Sequence, residues 1–553
     1  MENVVHHKDF MKMIIAATGP IDGRQPTRAM MRRRITILLK KMKNAGSIEQ
    51  AVRPMVFMSG ISGLLPECYC KFKDLVTEAL IFFLKELPPA RLAEKIVDQL
   101  RLAPHTDQGI RLGALVKDMP CIQKLGQVIC RTPGLDPIFK QALVDLEDNV
   151  KTVTYRQIHP AIAEQLRRMP PGNRIVPQRR IHAEASVCAV VPAKVILKGT
   201  RSSVQAVLKI VKPRVRKNLK GDLALLEKLS VFLDDHRADW GMRDFNFSET
   251  LNQVRSLIEN EVDLVSEQAH LATARRYYRG NRRVVIPKPL SVSTPGMTVM
   301  SRMEGKKITD VAGLTAQQKR LLAEALTTTC ILKPIQDLSD ISIFHGDPHA
   351  GNIAYRFDGD LPRIIFYDWA MMGRLTRRER FLMIFLTFGL LSGGRQAVFY
   401  AADLITNGQI SGNADLESKV LRFIDKTIAG KAVGLGNIFN AIEIFFEELT
   451  YLGIIFPKNL MMYEKAAVTL KGVLADIDPS FDRNDYLAWA YMVTFLKDLV
   501  YLRIHQVILE EAWILYRRRV ESIIGMQKGI RLLLHRAGSR WIKRQKEIRG
   551  TPS

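Results

Sequence analysis

The octet His345-Gly-Asp-Pro-His-Ala-Gly-Asn352 gathers residue types that phosphoryl transfer uses, and Asp368 follows at the end of Ile365-Phe-Tyr-Asp368. That chemistry needs a carboxylate beside the attacking hydroxyl and hard oxygen ligands for a Mg2+ that bridges the phosphates, because catalysis is mostly positioning and charge neutralisation. Asp347 and Asn352 stand five apart, the spacing of a kinase catalytic loop in which Asp is base or orienter and Asn a metal ligand. Asp368 adds a second oxygen ligand, and hard oxygen donors suit Mg2+. Taken singly, each residue is equally a loop-capping Asp or Asn; the ordered trio carries the reading. His345 and His349 have no third ligand at metal spacing and are read as shaping the hydrogen bonds of the loop.

The phosphates need a cation, and Lys209 in Val-Leu-Lys-Ile occupies the strand position where a kinase places the lysine that contacts them. A carboxylate from the next long helix must hold that lysine. Glu261, Asp263 and Glu267 are candidates, and Asp263 and Glu267 stand at i, i+4 and share a helix face. A solvated acidic face is the plainer alternative. No G-x-G-x-x-G precedes Lys209. The stretch there is Ala183-Glu-Ala-Ser-Val-Cys-Ala-Val190, whose Cβ atoms limit close backbone approach to phosphate, so a nucleotide is held by other means.

The elements that must position these residues follow from periodicity. The chain is helical up to about residue 112, and Arg28 to Lys43 sets Met31, Ile35, Leu38 and Met42 among seven positive charges. Such a basic amphipathic helix either lies on an anionic membrane or packs on the domain behind it with its basic face in water. From about 183 to 211 the period is two: Val187 to Leu197 is β-rich, and Val204 to Val211 puts Val204, Ala206, Leu208 and Ile210 on one face and Lys209 on the other. A helical stretch from Asp222 to Tyr278 is followed by short strands at Arg283 to Ile286 and Thr298 to Met303. Beyond Gly305 the chain is mostly helical, interrupted by the loop Phe344 to Asn352 and the strand Arg363 to Asp368. The outline is an α+β, bilobal protein kinase-like fold with a helical N-terminal extension and a basic helical C-terminal tail. Its expected segments are 1–112, 113–160, 161–305, 306–484 and 485–553.

Composition excludes several other classes. With 553 residues, 47% hydrophobic and 25% charged, the chain is neither disordered, collagen-like nor a disulfide scaffold. Six scattered cysteines with no CxxC pair fit a reducing compartment and argue against structural zinc. No run reaches the ~18–20 apolar residues of a membrane span. A signal-peptide layout is absent, and the Arg-rich stretch from Arg24 to Arg34 leaves a mitochondrial presequence open. A soluble or peripheral protein is expected. The net charge of +26 attracts polyanions. Arg28 to Lys43 carries +7 of it and Arg517 to Arg549 +9, which points to two basic helical flanks docking on an anionic membrane. Nucleic acid is disfavoured, since aromatics are 7% and no reader motif is present.

Together these motifs resemble the UbiB/ADCK (AarF-type) atypical kinase-like family. Lys124-Leu-Gly-Gln127 matches its KxGQ motif, through Lys124, Gly126 and Gln127, and Ala183 to Val190 resembles its alanine-rich loop. Glu261-Val-Asp263 matches its ExD motif, and His345 to Asn352 its catalytic loop. The likeness spans roughly 115 to 482. It departs from the pattern at Glu184, where the family commonly has alanine, and at Asp368-Trp-Ala370, which replaces Asp-Phe-Gly. By this resemblance Lys209 pairs with Glu267 and holds nucleotide, with Ala183, Glu184, Ala185, Ser186, Met303 and Glu304 also in the nucleotide set. Asp347 serves catalysis, Asn352 and Asp368 bind Mg2+, and Lys124 lies near Glu261 and Asp263 in a KxGQ segment that covers the active site.

The expected function is an atypical kinase-fold ATPase or small-molecule or lipid phosphotransferase using ATP or ADP and Mg2+. By the resemblance it supports isoprenoid-quinone or other lipid metabolism at a membrane surface. An aminoglycoside- or choline-type kinase and a nucleotide-binding pseudoenzyme acting as a scaffold are the alternatives. Glu184 and Trp369 motivate the second of these.

Overall fold

The computed structural model describes residues 19, 26–60, 73–103, 105–119, 121–122, 124, 153–185, 187–242, 246–428, 437–487 and 489–490. The fold is mixed α+β. Two compact units divide the chain, Met1–Ser266 with Pro289–Arg302 and Glu267–Lys288 with Met303–Ser553.

The first unit begins with helices α1 (Arg28–Asn44), α2 (Glu49–Met58), α3 (Lys73–Glu86), α4 (Pro89–Leu100), α5 (Gln108–Val116) and α6 (Tyr155–Arg167). Ile35, Leu39 and Met42 of α1 are buried, and α1 lies against α4 through Arg28–Asp98 and Arg32–Glu94 ion pairs at 2.5 and 2.6 Å. The apolar stripe of the basic helix is therefore inside a helical core, with Leu39 rather than Leu38 at its centre. This settles the alternative left by its sequence: only the basic face, with Arg33, Lys40, Lys41 and Lys43 exposed, is open to a surface.

Strands β1 (Arg174–Pro177), β2 (Ala183–Glu184), β3 (Cys188–Ile196) and β4 (Val204–Val211) follow, then helices α7 (Pro213–Asp235), α8 (Phe247–Val262) and α9 (Leu264–Tyr277). After β5 (Val284–Val285) comes β6 (Met297–Ser301), which completes an antiparallel sheet in the order β1-β3-β4-β6 with β2 on β3. The alternation read in Val204 to Val211 gives β4 at those same bounds, and Ile158 and Ile162 of α6 share a core with Val191, Val195, Leu208 and Val299. The helical stretch expected from Asp222 to Tyr278 is made of three helices, the first beginning earlier, at Pro213. Pro213 starts α7, where its missing N–H costs nothing. Asp263 ends α8 with non-helical backbone and caps α9, its Oδ1 accepting from Val265 N and Ser266 N. Asp263 and Glu267 thus do not share the face of one helix.

In the second unit β5, β7 (Lys306–Lys307), β9 (Ile353–Asp358) and β10 (Leu361–Phe366) form a sheet in the order β5-β10-β9-β7, and β8 (Ile341–His345) pairs with β11 (Met372–Thr376). Helix α10 (Ala316–Thr327) runs into a π-helical turn, Thr328–Leu332, and a last α-turn, Lys333–Gln336. Helices α11 (Arg377–Ser392), α12 (Arg395–Ile405), α13 (Ala414–Ile428), α14 (Ile438–Tyr451) and α15 (Lys458–Ile477) complete the unit. Its sheets exceed the two strands expected there, Arg283 to Ile286 and Arg363 to Asp368. The added strands are short and buried on much of both faces, so they lack the alternation that marks a half-buried strand. Among the described residues no helix is long and apolar enough to cross a membrane.

Candidate active site

Strand β8 delivers His345 to the start of the loop, and the imidazole connects its two ends. Nδ1 accepts from Asp347 N at 3.2 Å, and Nε2 meets the Asp368 carbonyl at 2.5 Å. A carbonyl only accepts, so the ring is the neutral tautomer with its proton on Nε2. Burial keeps it neutral, pushing its pKa down to about 4 against the opposing pull of Asp347 and Asp368. One side chain therefore ties the backbones of Asp347 and Asp368 together, the loop-shaping role its sequence position suggests.

The loop is tightly specified. His349 N and the Asn352 side-chain amide both donate to the Asp347 carbonyl, at 2.9 and 3.3 Å, and Tyr367 N donates to the Asn352 carbonyl at 2.9 Å. Gly346 has no room for a side chain, since a Cβ there would lie 2.8 Å from Met462 Sδ and 3.2 Å from the Met371 carbonyl. Asp347 is 8% exposed. Its carboxylate lies 3.9 Å from His349 Nε2. One Asp368 oxygen accepts from Ala370 N at 2.8 Å. With its amide nitrogen turned to Asp347, Asn352 keeps its side-chain oxygen for a hard cation, and Asp368 supplies a carboxylate. That donor set fits Mg2+, which takes one or two protein oxygens and completes its shell with water and phosphate. No cluster of three His, Cys, Asp or Glu suited to a metal occurs among the described residues.

Trp369 explains its own departure from Asp-Phe-Gly. It is fully buried against His345, Phe366 and Tyr278, and its carbonyl meets His270 Nδ1 at 2.9 Å. Its Nε1 has no hydrogen-bond partner among the described residues. The indole thus wedges the hinge after Asp368 in place. His270 and Tyr278 carried no sequence signal, because their role exists only through the indole they hold.

In the first unit Lys209 is 6% exposed on β4, opposite Val190 of β3 and Thr298 of β6. Lys124 Nζ forms an ion pair with Glu261 Oε1, so the structure brings the KxGQ lysine to the first residue of ExD. Cys188 Sγ lies 3.8 Å from the Glu261 carbonyl, linking the same end of α8 to the alanine-rich stretch. That stretch is a tight hairpin in which β2 turns back along β3 and Ala185 N donates to the Cys188 carbonyl at 2.9 Å. Glu184 is not an open negative charge in it: its Oε1 pairs with Lys212 Nζ at 2.8 Å, both side chains almost wholly buried. Lys212 was missed by the sequence reading, since it stands between β4 and α7, far along the chain from Glu184. Gly126, Gln127 and Ser186 lie outside the described residues, as does the basic tail from Arg517 to Arg549.

Glu267 is buried in the first turn of α9 and belongs to the second unit, whereas Lys209 belongs to the first. Ala183 is exposed on β2, and Met303 and Glu304 lie in the extended link between β6 and β7, Glu304 exposed.

Residues 145–401 match the ABC1 atypical kinase-like domain. The Synechocystis sp. (strain PCC 6803) protein sll1770 is 24% identical over 370 residues, 66% of this chain and 60% of that one. The chain thus spans less than two thirds of that relative's length. Probable protein kinase UbiB of Cellvibrio japonicus is 26% identical over 420 residues, 73% of this chain and 71% of that one. The protein of the same name from Actinobacillus pleuropneumoniae serotype 5b is 23% identical over 440 residues, 74% and 77% of the two chains. A solved complex of Rv3197 with erythromycin from Mycobacterium tuberculosis shares 17% identity and a TM-score of 0.39, covering 70% of this chain and 94% of that one. The chain carries an ABC1 atypical kinase-like domain and is a distant homologue of the UbiB probable protein kinases.

Proposed function

We propose that this protein is an ATP-dependent phosphotransferase or ATPase acting on a small molecule or lipid. The observation that carries the reading is the His345 bridge, which fixes Asp347 and Asp368 relative to each other on either side of Asn352. In this reading Asp347 orients the attacking hydroxyl and receives its proton. Asn352 and Asp368 would hold Mg2+, which when bound neutralises charge on the phosphates. Lys209 is assigned to the phosphates and Glu267 to its support, with Ala183, Ala185, Ser186, Met303 and Glu304 toward the nucleotide. Glu184 is reassigned from the nucleotide to the support of Lys212. The paired Lys124 and Glu261 favour a role for the KxGQ segment in restricting which acceptors enter, and so favour small acceptors over protein ones.

The test is ATP turnover with Mg2+ in the full chain and in Asp368→Asn. Turnover in the wild type that falls at least about a hundredfold in the variant supports the reading. Equal turnover in both overturns it and favours the second reading, a nucleotide-binding pseudoenzyme, for which the wedged Trp369 hinge is the supporting observation.

A further inference from the structure

The second unit holds a cavity distinct from the Asp347–Asp368 loop. It spans about 940 Å3 of empty space, its mouth open to solvent included. Ile331, Met383, Phe388, Ile442, Phe446 and Tyr463 wall it, and the π-helical turn contributes Ile331 and Leu332. Such turns recur where a helix is shaped around a function. Here the Ile331 carbonyl is taken up by the Tyr463 hydroxyl at 2.7 Å, so the widened turn adds apolar side chains to the wall while that carbonyl is satisfied.

The polar part of the lining is Glu443, Glu464, Arg483 and Thr387. Arg483 pairs with Glu443 at 2.6 Å and donates to the Ala467 carbonyl, and Lys471 reaches Glu443 at 3.4 Å. Arg483 and Lys471 are thus committed to Glu443. Glu464 has no hydrogen bond or ion pair among the described residues, and Glu443 and Glu447 of α14 oppose its ionisation while its neighbour Lys465 favours it.

We propose that this cavity is a binding site for an apolar molecule carrying one protonated amine. The walls take the hydrocarbon, and the amine supplies the cation that Glu464 lacks. A carboxylate head would meet Glu443 and Glu464 together, and a hydroxyl would leave the negative charge uncompensated. Burial and the two neighbouring glutamates push Glu464 up to about 7, so it is partly protonated near neutrality. An ammonium favours the ionised form, hence binding expels a proton and tightens as pH rises through that value. The inference does not rest on the phosphotransferase reading.

The test is calorimetric titration of the full chain with decylamine, decanol and decanoate, each below its micelle concentration. Wild-type affinity at least about tenfold higher for decylamine than for the other two is expected, with tightening from about pH 6 to about pH 8. The near-isosteric Glu464→Gln should erase the preference while leaving cooperative thermal unfolding intact, and Ala467→Phe, which intrudes on the cavity, should weaken all three. Equal affinity for the three heads, a preference that survives Glu464→Gln, or no binding of any probe overturns the proposal.

Discussion

His345 is a strut rather than a catalytic base: both ring nitrogens are engaged and burial holds the ring neutral. Replacing it with leucine leaves the Asp347 N–H and the Asp368 carbonyl without their partner, each loss costing about 1–3 kcal/mol. His345→Leu should therefore lower unfolding free energy by about 2–6 kcal/mol and lose turnover, whereas Asp368→Asn should lose turnover with stability changed far less. Urea titration beside an ATP turnover assay separates the two, and equal stability loss in both variants would contradict the division. The Glu184–Lys212 pair gives a second expectation. Glu184→Ala removes the carboxylate facing a buried ammonium and should cost about 3–5 kcal/mol, while Glu184→Ala with Lys212→Met should recover most of that loss. A double-mutant cycle with no coupling would show that the pair contributes nothing beyond its separate parts.

At the scale of elements, α1 shows how one pattern serves two surfaces. Its apolar stripe belongs to the core of the first unit and its outer face carries Arg33, Lys40, Lys41 and Lys43. Leu39→Asp should destabilise the chain by several kcal/mol, as an unpaired buried charge does. Reversing Lys40, Lys41 and Lys43 to Glu should leave thermal stability nearly unchanged while weakening flotation with anionic vesicles; unchanged flotation would remove α1 from any docking role. Legibility varied with the kind of element. Strand β4 was readable to the residue because its alternation is flanked by turn residues. The catalytic loop was readable because its chemistry lies in eight consecutive positions. The break at Asp263 was not, since the apolar spacing runs through it, and only the capping geometry to Val265 and Ser266 reveals the stop. The Trp369 wedge and the Glu464 cavity were equally hidden, being made by residues far apart in the chain that no local spacing relates.

Across the whole molecule, the +26 charge separates association from chemistry. Attraction to an anionic membrane is screened within about 10 Å at 0.1 M salt. If the charge docks the protein on an anionic membrane, raising salt from about 0.05 to about 0.5 M should release it from vesicles containing anionic lipid in a sedimentation assay, because the Debye length then falls well below 10 Å. Retention at high salt would indicate that apolar insertion, not charge, holds it. The buried pair in the alanine-rich hairpin reaches beyond this one chain. A glutamate at 184 without a lysine at 212 loses its buried counter-charge, and so does the converse, so neither substitution is easily tolerated first. The two positions should therefore change together in descent, and homologues with alanine in place of Glu184 should have lost the lysine as well. A collection of homologous sequences in which the two vary independently would show that this ion pair is an accident of one lineage rather than a joint constraint.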